Sequence, residues 1–588
     1  MDHTPKVEVK NSVVRVAVVA LLLLVQLCWL LLLLMRLYNW SAIAQVVAGL
    51  LAVVLVLNVL GRNQNAAYKI LWTFVLLALP VFGIFLFVLL EGSVSIHFAR
   101  KRFSRIDEGL RPCVPPRPDD VVSLAAVSPV LANQARYLAD KPAGIPAPLY
   151  RCEDVRFYAE AADGFAAQLT DIETARDFVF LEYHAIQDSV SFARLKALLA
   201  RKVTEGVEVR IIYDDMGSFG FISRAFIEGM EAIGVQCRVF NPLVPVLSVL
   251  MNNRDHRKIT VVDGRVGFTG GYNLADEYFN ITHPFGQWKD TGLRLIGDPV
   301  RSLTAMFLEM WNAIDDTDHS DYARYLPVSA APDIPATGTD SPNATGSCQT
   351  DGAPASSVLT ATLCMPVAAS RPVPEPTPVC PGAEASAALP TVPSGACPAG
   401  EPLASVEGWV QPYCDSPLDD TPTAEDVYLN MIKGATQRLW ATTPYLIITD
   451  EMTRELTLAA RRGVDVRIVT PGIPDKKTVY KLTRSYYAQL ARHGVRIYEW
   501  TPGFIHAKQM LADDQVAACG TINLDYRSLY LHFENGCVLY RCPALTDIAA
   551  DFEHTFAQAA EVTDLYADER IGPLKLGRRI LRLLAPLL

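Results

Sequence analysis

The sequence predicts an α/β protein of two sandwich halves that pack as a pseudo-dimer, preceded by N-terminal transmembrane helices. Three observations lead there. A short pattern recurs at a fixed interval of 250 residues: His256-x-Lys258-x4-Asp263 with Gly270-Gly271-x-Asn273, then His506-x-Lys508-x4-Asp513 with Gly520-Thr521-x-Asn523. Around each copy, strand-like and helix-like runs alternate in the same order, as expected of an internal repeat. Ahead of both lie three long apolar runs.

The elements are taken in chain order. Residues 1–95 hold the apolar runs, with spans expected over 16–35, 43–60 and 70–90; the last is broken only by Pro80 and Gly83. About twenty apolar residues cross a bilayer's hydrocarbon. No small-residue cleavage site follows Met35, which disfavours a removed signal peptide. Arg100, Lys101, Arg102 and Arg105 after the third run put the remainder of the chain on the cytoplasmic side. Lys6, Lys10 and Arg15 draw the N-terminus the same way, and three spans cannot satisfy both ends; the denser cluster decides.

Residues 96–150 read as a polar, proline-punctuated connector. The first half, 151–329, offers a strand over 178–183, a helix over 193–203, a strand over 206–213 and a third strand over 234–239. The second half, 405–569, repeats this with strands over 439–448, 463–469 and 494–498. Between them, residues 330–404 contain fourteen prolines and no aromatic side chain. Such a stretch buries too little apolar surface to offset its ordering entropy, so a disordered insertion is expected. At the C-terminal end, 570–588 interleaves Arg570, Lys575, Arg578, Arg579 and Arg582 with leucines and isoleucines. That pattern suits a basic amphipathic helix on anionic lipid, or an ordinary surface helix packed on the domain.

A length of 588 residues suggests two or three domains. Half the residues are hydrophobic, concentrated at the N-terminus, and the net charge of −10 disfavours nucleic acid as a partner. The twelve cysteines contain no C-x-x-C pair, and Cys348, Cys364, Cys380 and Cys397 have no histidine among them; neither a disulfide framework nor a zinc site is expected.

The repeated pattern carries the chemistry. On a strand, two-residue spacing puts the imidazole and the ammonium of His-x-Lys on one face. These groups repel once the ring protonates, so structure alone has little reason to repeat the pair. Brought together, two pairs surround a phosphate with two imidazoles and two ammoniums, and metal is not needed for the charge balance.

These motifs resemble the phospholipase D superfamily, and within it the bacterial cardiolipin synthases. The resemblance is carried by both H-x-K-x4-D runs, by Trp288-Lys289-Asp290-Thr291-Gly292, and by Gly520-Thr521-Ile522-Asn523-Leu524-Asp525-Tyr526-Arg527-Ser528 leading to Phe533-Glu534-Asn535. It implies phospholipase D-like halves and a catalytic set of His256, Lys258, Asp263, His506, Lys508 and Asp513. One histidine would attack phosphorus and the other shuttle protons, His256 in the first role and His506 in the second. Asn273 and Asn523 would help hold the phosphate, and Glu534 and Asp290 would orient histidines. Asp263 and Asp513 lie seven residues past their histidines, where a structural ion pair or turn suits them better than proton transfer. His184 and His532 stand near the site by sequence, as pocket or buried structural groups. Gly271 replaces the hydroxyl residue that Thr521 supplies, so the two half-sites differ. The implied reaction passes a phosphatidyl group between two phosphatidylglycerols without a cofactor, at the cytoplasmic face of a bacterial cell membrane. The alternative is a hydrolase, or a transferase using another alcohol.

Overall fold

The computed structural model describes residues 42–62, 65–90, 94–141, 143–152, 154–243, 252–315, 322–327 and 408–567, with scattered residues between 21 and 32 and Arg582. The insertion 330–404, nearly all of the first apolar run and nearly all of the basic tail therefore lie outside the described residues.

Seven strands form the first half's sheet, in the order Asp154–Tyr158, Gly292–Ile296, Val266–Gly270, Lys258–Val262, Phe178–Tyr183, Glu208–Asp214, Gln236–Phe240. The second sheet repeats that order with Trp409–Asp415, His532–Tyr540, Val516–Gly520, Gln509–Ala512, Arg438–Thr442, Asp465–Pro471 and Arg496–Trp500. Tyr150–Arg151 adds to one edge of it and Ala559–Glu561 to the other. In each sheet the three strands joined by helices run parallel, and the motif strand is antiparallel to the first of them. Helix crossovers oblige parallel pairing, whereas the tight turn after each motif allows an antiparallel hairpin.

Burial follows the repeat. One apolar cluster lies between the sheets and is shared by both, built around Val300, Leu303, Phe307 and Trp311 of helix Val300–Ile314 and Ile548 and Phe552 of helix Ala544–Ala557. Two outer clusters cover the far faces. The halves also exchange backbone pairing. Arg254–Asp255, just ahead of His256, pairs with His532–Phe533, and Gly503–Ile505, just ahead of His506, pairs with Gln287–Lys289.

Two sequence expectations need correction here. The connector is not loose: helices Val94–Leu110, Pro118–Val127 and Pro129–Ala139 fill it. Pro118 and Pro129 stand at the first helical turn, where the missing N–H costs nothing. Val121, Leu124, Leu131, Ala135 and Leu138 are buried against the second half. The second correction concerns the third apolar run, which is not one helix. It breaks at Leu79 into helices Ala66–Ala78 and Pro80–Leu90, each under about 20 Å long. Trp72 meets Phe87 edge to face at 5.1 Å. A Cβ on Gly83 would lie 2.6 Å from the Val75 carbonyl, so only glycine admits this approach. The second run forms helix Ala42–Gly61. Among residues whose side chains are described, no helix is long and apolar enough to cross a membrane, so the expected spans are not shown.

Candidate active site

Both motif histidines sit on backbone that the opposite half holds in place. The His256 amide donates to the Phe533 carbonyl at 2.9 Å, and the His506 amide to the Lys289 carbonyl at 2.7 Å. The residue after each acceptor is a buried carboxylate. Glu534 therefore meets His256 Nδ1 at 2.9 Å through either oxygen, and Asp290 Oδ2 meets His506 Nδ1 at 2.6 Å. Each carboxylate orients the histidine of the other half. With Nδ1–H committed in this way, Nε2 of each ring is the atom left for chemistry, as a lone pair on a neutral ring or as a proton on an imidazolium.

The lysines close the site. Lys258 Nζ donates to the His256 carbonyl at 2.7 Å. Lys508 Nζ donates to the His506 carbonyl and lies 2.6 Å from His506 Nδ1. Both are essentially buried, and burial lowers them to about 8 for Lys258 and about 7 for Lys508 against the pull of nearby carboxylates. Each ammonium also depresses the histidine of the opposite half, which places both pairs in one electrostatic site.

The two imidazoles differ in their surroundings. Burial, then Lys258 and His184, push His256 far below its ordinary value. Burial and Lys508 lower His506 to about 4, but Asp290 opposes them. Burial pushes Asp290 up, yet Lys508 and His506 outweigh it and hold the carboxyl below the usual range. Glu534 goes the other way, raised by burial well above that range despite Lys258. Tyr278, Trp288 and Phe504 surround His506 with ring centroids 5.3–5.8 Å away. His256 instead has His184 at 5.0 Å and His532 at 5.5 Å.

Asp263 and Asp513 are brought nowhere near the imidazoles. Each stands in a left-handed turn at the far end of its motif strand, with φ of 51° and 52°. Asp263 accepts from the amides of Arg176, Asp177 and Phe178, and Asp513 from those of Thr436, Gln437 and Arg438. They pin the loop that enters the first of the three parallel strands in each half, which corrects their place in the catalytic set. The asparagines are also partly committed. Asn273 accepts from the Ala185 amide and donates to the Tyr278 hydroxyl, while Asn523 donates to Asp525. Each retains one N–H for a phosphate oxygen. Glu534 and Asp290 face imidazoles, not a phosphate.

His184 and His532 both reach the site. His184 Nδ1 donates to the Asp255 carbonyl at 2.7 Å and so steadies the residue before His256. Tyr278 was not readable from sequence, because its position depends on the loop that carries Asn273. Behind His256 lies a buried network that motif spacing also hides: Arg257 pairs with Glu309 at 2.7 Å beside Glu182, Asp255 and Asp107.

His256, His532 and Glu534 place ligand atoms within 4.8 Å of one another. A metal fits poorly there. The Arg527 Nε–H donates to His532 Nε2, His256 gives Nδ1–H to Glu534, and Lys258 adds its positive charge beside the same carboxylate.

Two repeated sheets with crossed histidine–carboxylate pairs at their junction define a phospholipase D-like protein of two halves. A family described as "Cardiolipin synthase, PLD-like domain" matches residues 169–288 and 428–558. The chain is 34% identical to an uncharacterised protein of Streptococcus mutans over 91% of its own length and 99% of the relative's. It is 30% identical to the cardiolipin synthase of Geobacillus kaustophilus, covering 90% of each, and 31% identical to cardiolipin synthase 2 of Bacillus cereus, covering 74% and 71%. The chain belongs to the cardiolipin synthase family.

Proposed function

We propose that the protein is a phosphatidyltransferase that makes cardiolipin and glycerol from two molecules of phosphatidylglycerol. The observation that carries this is the pair of crossed carboxylate–imidazole bonds beside two buried lysines. It supplies a neutral nucleophile, a proton shuttle and a cationic cradle in one place.

His256 Nε2 attacks the phosphorus of the first lipid, forming a P–N bond as the P–O bond to the head-group glycerol breaks. His506 gives its Nε2 proton to the departing oxygen. The neutral His506 then takes the proton of a hydroxyl on the second phosphatidylglycerol. That oxygen attacks phosphorus, and His256 leaves. Lys258 and Lys508 hold the non-bridging oxygens, assisted by Asn273 and Asn523. The division of labour follows the electrostatics. Burial, Lys258 and His184 keep the His256 ring neutral for attack. His506 is paired with Asp290, held below the usual range, which favours the imidazolium that an acid must pass through. Glu534 stabilises the cationic ring of the phosphohistidine as it forms.

The N-terminal helices embed in the bacterial cell membrane with the catalytic halves at its cytoplasmic face. Supporting this, helices Ala42–Gly61 and Ala66–Ala78 expose Leu50, Leu57, Ile70 and Phe74, a surface suited to lipid.

Incubation of the purified protein with phosphatidylglycerol labelled in both glycerol groups tests the reading. Cardiolipin and free glycerol should form one for one, in the presence of EDTA. Phosphatidic acid without cardiolipin would replace transfer by hydrolysis.

A further inference from the structure

His532 stands between the two residues that flank it in space, Arg527 and Glu534. Arg527 Nε donates to His532 Nε2 at 3.3 Å. A guanidinium has donors only, so that ring nitrogen carries the lone pair. Burial and the charge of Arg527 keep the ring neutral, and its one proton therefore sits on Nδ1. The His532 side chain is nine-tenths buried, and its Nδ1 makes no hydrogen bond but lies 3.5 Å from Glu534 Oε1.

Glu534 is the carboxylate that orients His256. It accepts from the His256 Nδ1–H and the Thr521 hydroxyl, and the Ser528 hydroxyl also favours its ionised form. Burial favours the protonated form of this group. A protonated Glu534 cannot accept from His256 in the same way and cannot balance the charge that develops on a phosphohistidine. Of the remaining groups near Glu534 and His532, Lys258, Arg254, Arg527 and the rings of His184 and His256 are basic, and Asp525 is acidic.

We propose that His532 is a positioning residue for the transfer reaction: its unpartnered Nδ1–H closes on Glu534 as a further donor, and it keeps that carboxylate ionised and aimed at His256. This deepens the mechanism above and rests on it. Among the described residues the first half shows no counterpart. Asp290 takes the His506 Nδ1–H and the Thr291 amide, and the nearby ammonium of Lys508 holds it ionised without an added imidazole. The longer, more deeply disfavoured Glu534 is the carboxylate that needs one.

Asparagine places an N–H where histidine places Nδ1–H, whereas leucine fills similar space without a donor. The test compares the full-length wild type with His532→Asn and His532→Leu on bis(4-nitrophenyl) phosphate, a water-soluble phosphodiester. That substrate makes the result independent of which lipid or alcohol is used. His532→Leu should lose about 10-fold or more in kcat with KM changed less than 3-fold. Its acid limb should move up by roughly half to one pH unit, as one donor to a buried carboxylate is worth. His532→Asn should stay within about 3-fold of wild type and restore the limb. If both variants lost activity equally with the acid limb unmoved, His532 would be packing and not a donor. If both kept wild-type rates and profile, Glu534 would need no donor from His532. Either result overturns the proposal.

Discussion

Gly271 and Thr521 occupy matched positions in the repeat and solve opposite problems. A Cβ at Gly271 would lie 2.0 Å from Asp290 Oδ1, so glycine makes room for the short carboxylate that reaches His506. Thr521 instead gives its hydroxyl to Glu534. The inequality of the half-sites was legible in the sequence at these two positions. Its cause was not, because the carboxylates cross between halves and spacing along one half cannot show that. Gly271→Ala should displace Asp290 and lower kcat by about 10- to 100-fold, the scale of impaired general acid–base catalysis, with KM for substrate little changed in steady-state assays. Asp513 makes a different prediction. Burial raises its carboxyl, but the amides of Arg438, Gln437 and Thr436 outweigh that and hold it below the ordinary value. The stabilisation is thus present above the unfolded pKa and is lost as pH falls through the folded one. Asp513→Ala should cost about 1–2 kcal/mol near neutral pH, seen as a lower denaturation midpoint, and the difference should shrink toward pH 3. Activity per folded molecule should stay within a few-fold, which catalysis by Asp513 would not allow.

The strands of each half were largely readable, since a run such as Phe178–Tyr183 is apolar, bounded by turn residues and followed by an amphipathic helix. The expected strand over 439–448 was too long. The chain leaves the sheet at Thr442, where Thr443 turns to cap the Tyr445 carbonyl and to receive the Leu524 amide. The helices of the connector were not legible, because prolines at helix starts look like loop punctuation. Their acceptors and apolar faces become visible only with the second half in place. The apolar run 70–90 counts as a span by composition, yet Leu79–Pro80 and Gly83 fold it on itself. Residues 330–404 fall between Leu326 and Trp409, both buried in the shared architecture. Replacing 330–404 with a short Gly/Ser linker should keep transfer within a few-fold, since closing a longer flexible loop adds little cost. A fall in soluble, correctly folded yield or a loss of activity would show that the insertion packs on the catalytic halves.

At the scale of the whole molecule, the repeat makes a single site from two incomplete ones. Neither histidine has its carboxylate within its own half, so an isolated half would present an unoriented imidazole. That arrangement also sets the pH response. In the empty site the lysines titrate low, Lys508 at about 7 and Lys258 at about 8. As pH rises through that range the site loses the cations that hold phosphate, so kcat/KM should fall on the alkaline side between about pH 7 and 8. On the acid side it should fall once Glu534 or His256 gains a proton, because the nucleophile then loses its partner or its lone pair. A flat profile up to pH 10 would mean the lysines stay charged and their burial is relieved in solution. The central claim is that His256 attacks and His506 moves protons. Phosphatidyl-4-nitrophenol tests it most directly, because its leaving group departs without an acid. With His506→Ala this substrate should release one equivalent of nitrophenol per enzyme in a burst and leave an acid-labile phosphatidyl group on His256, located by peptide mapping. His256→Ala should give no burst and a loss of at least about 10³-fold. A burst from His256→Ala with the phosphatidyl group on His506 would contradict the assignment.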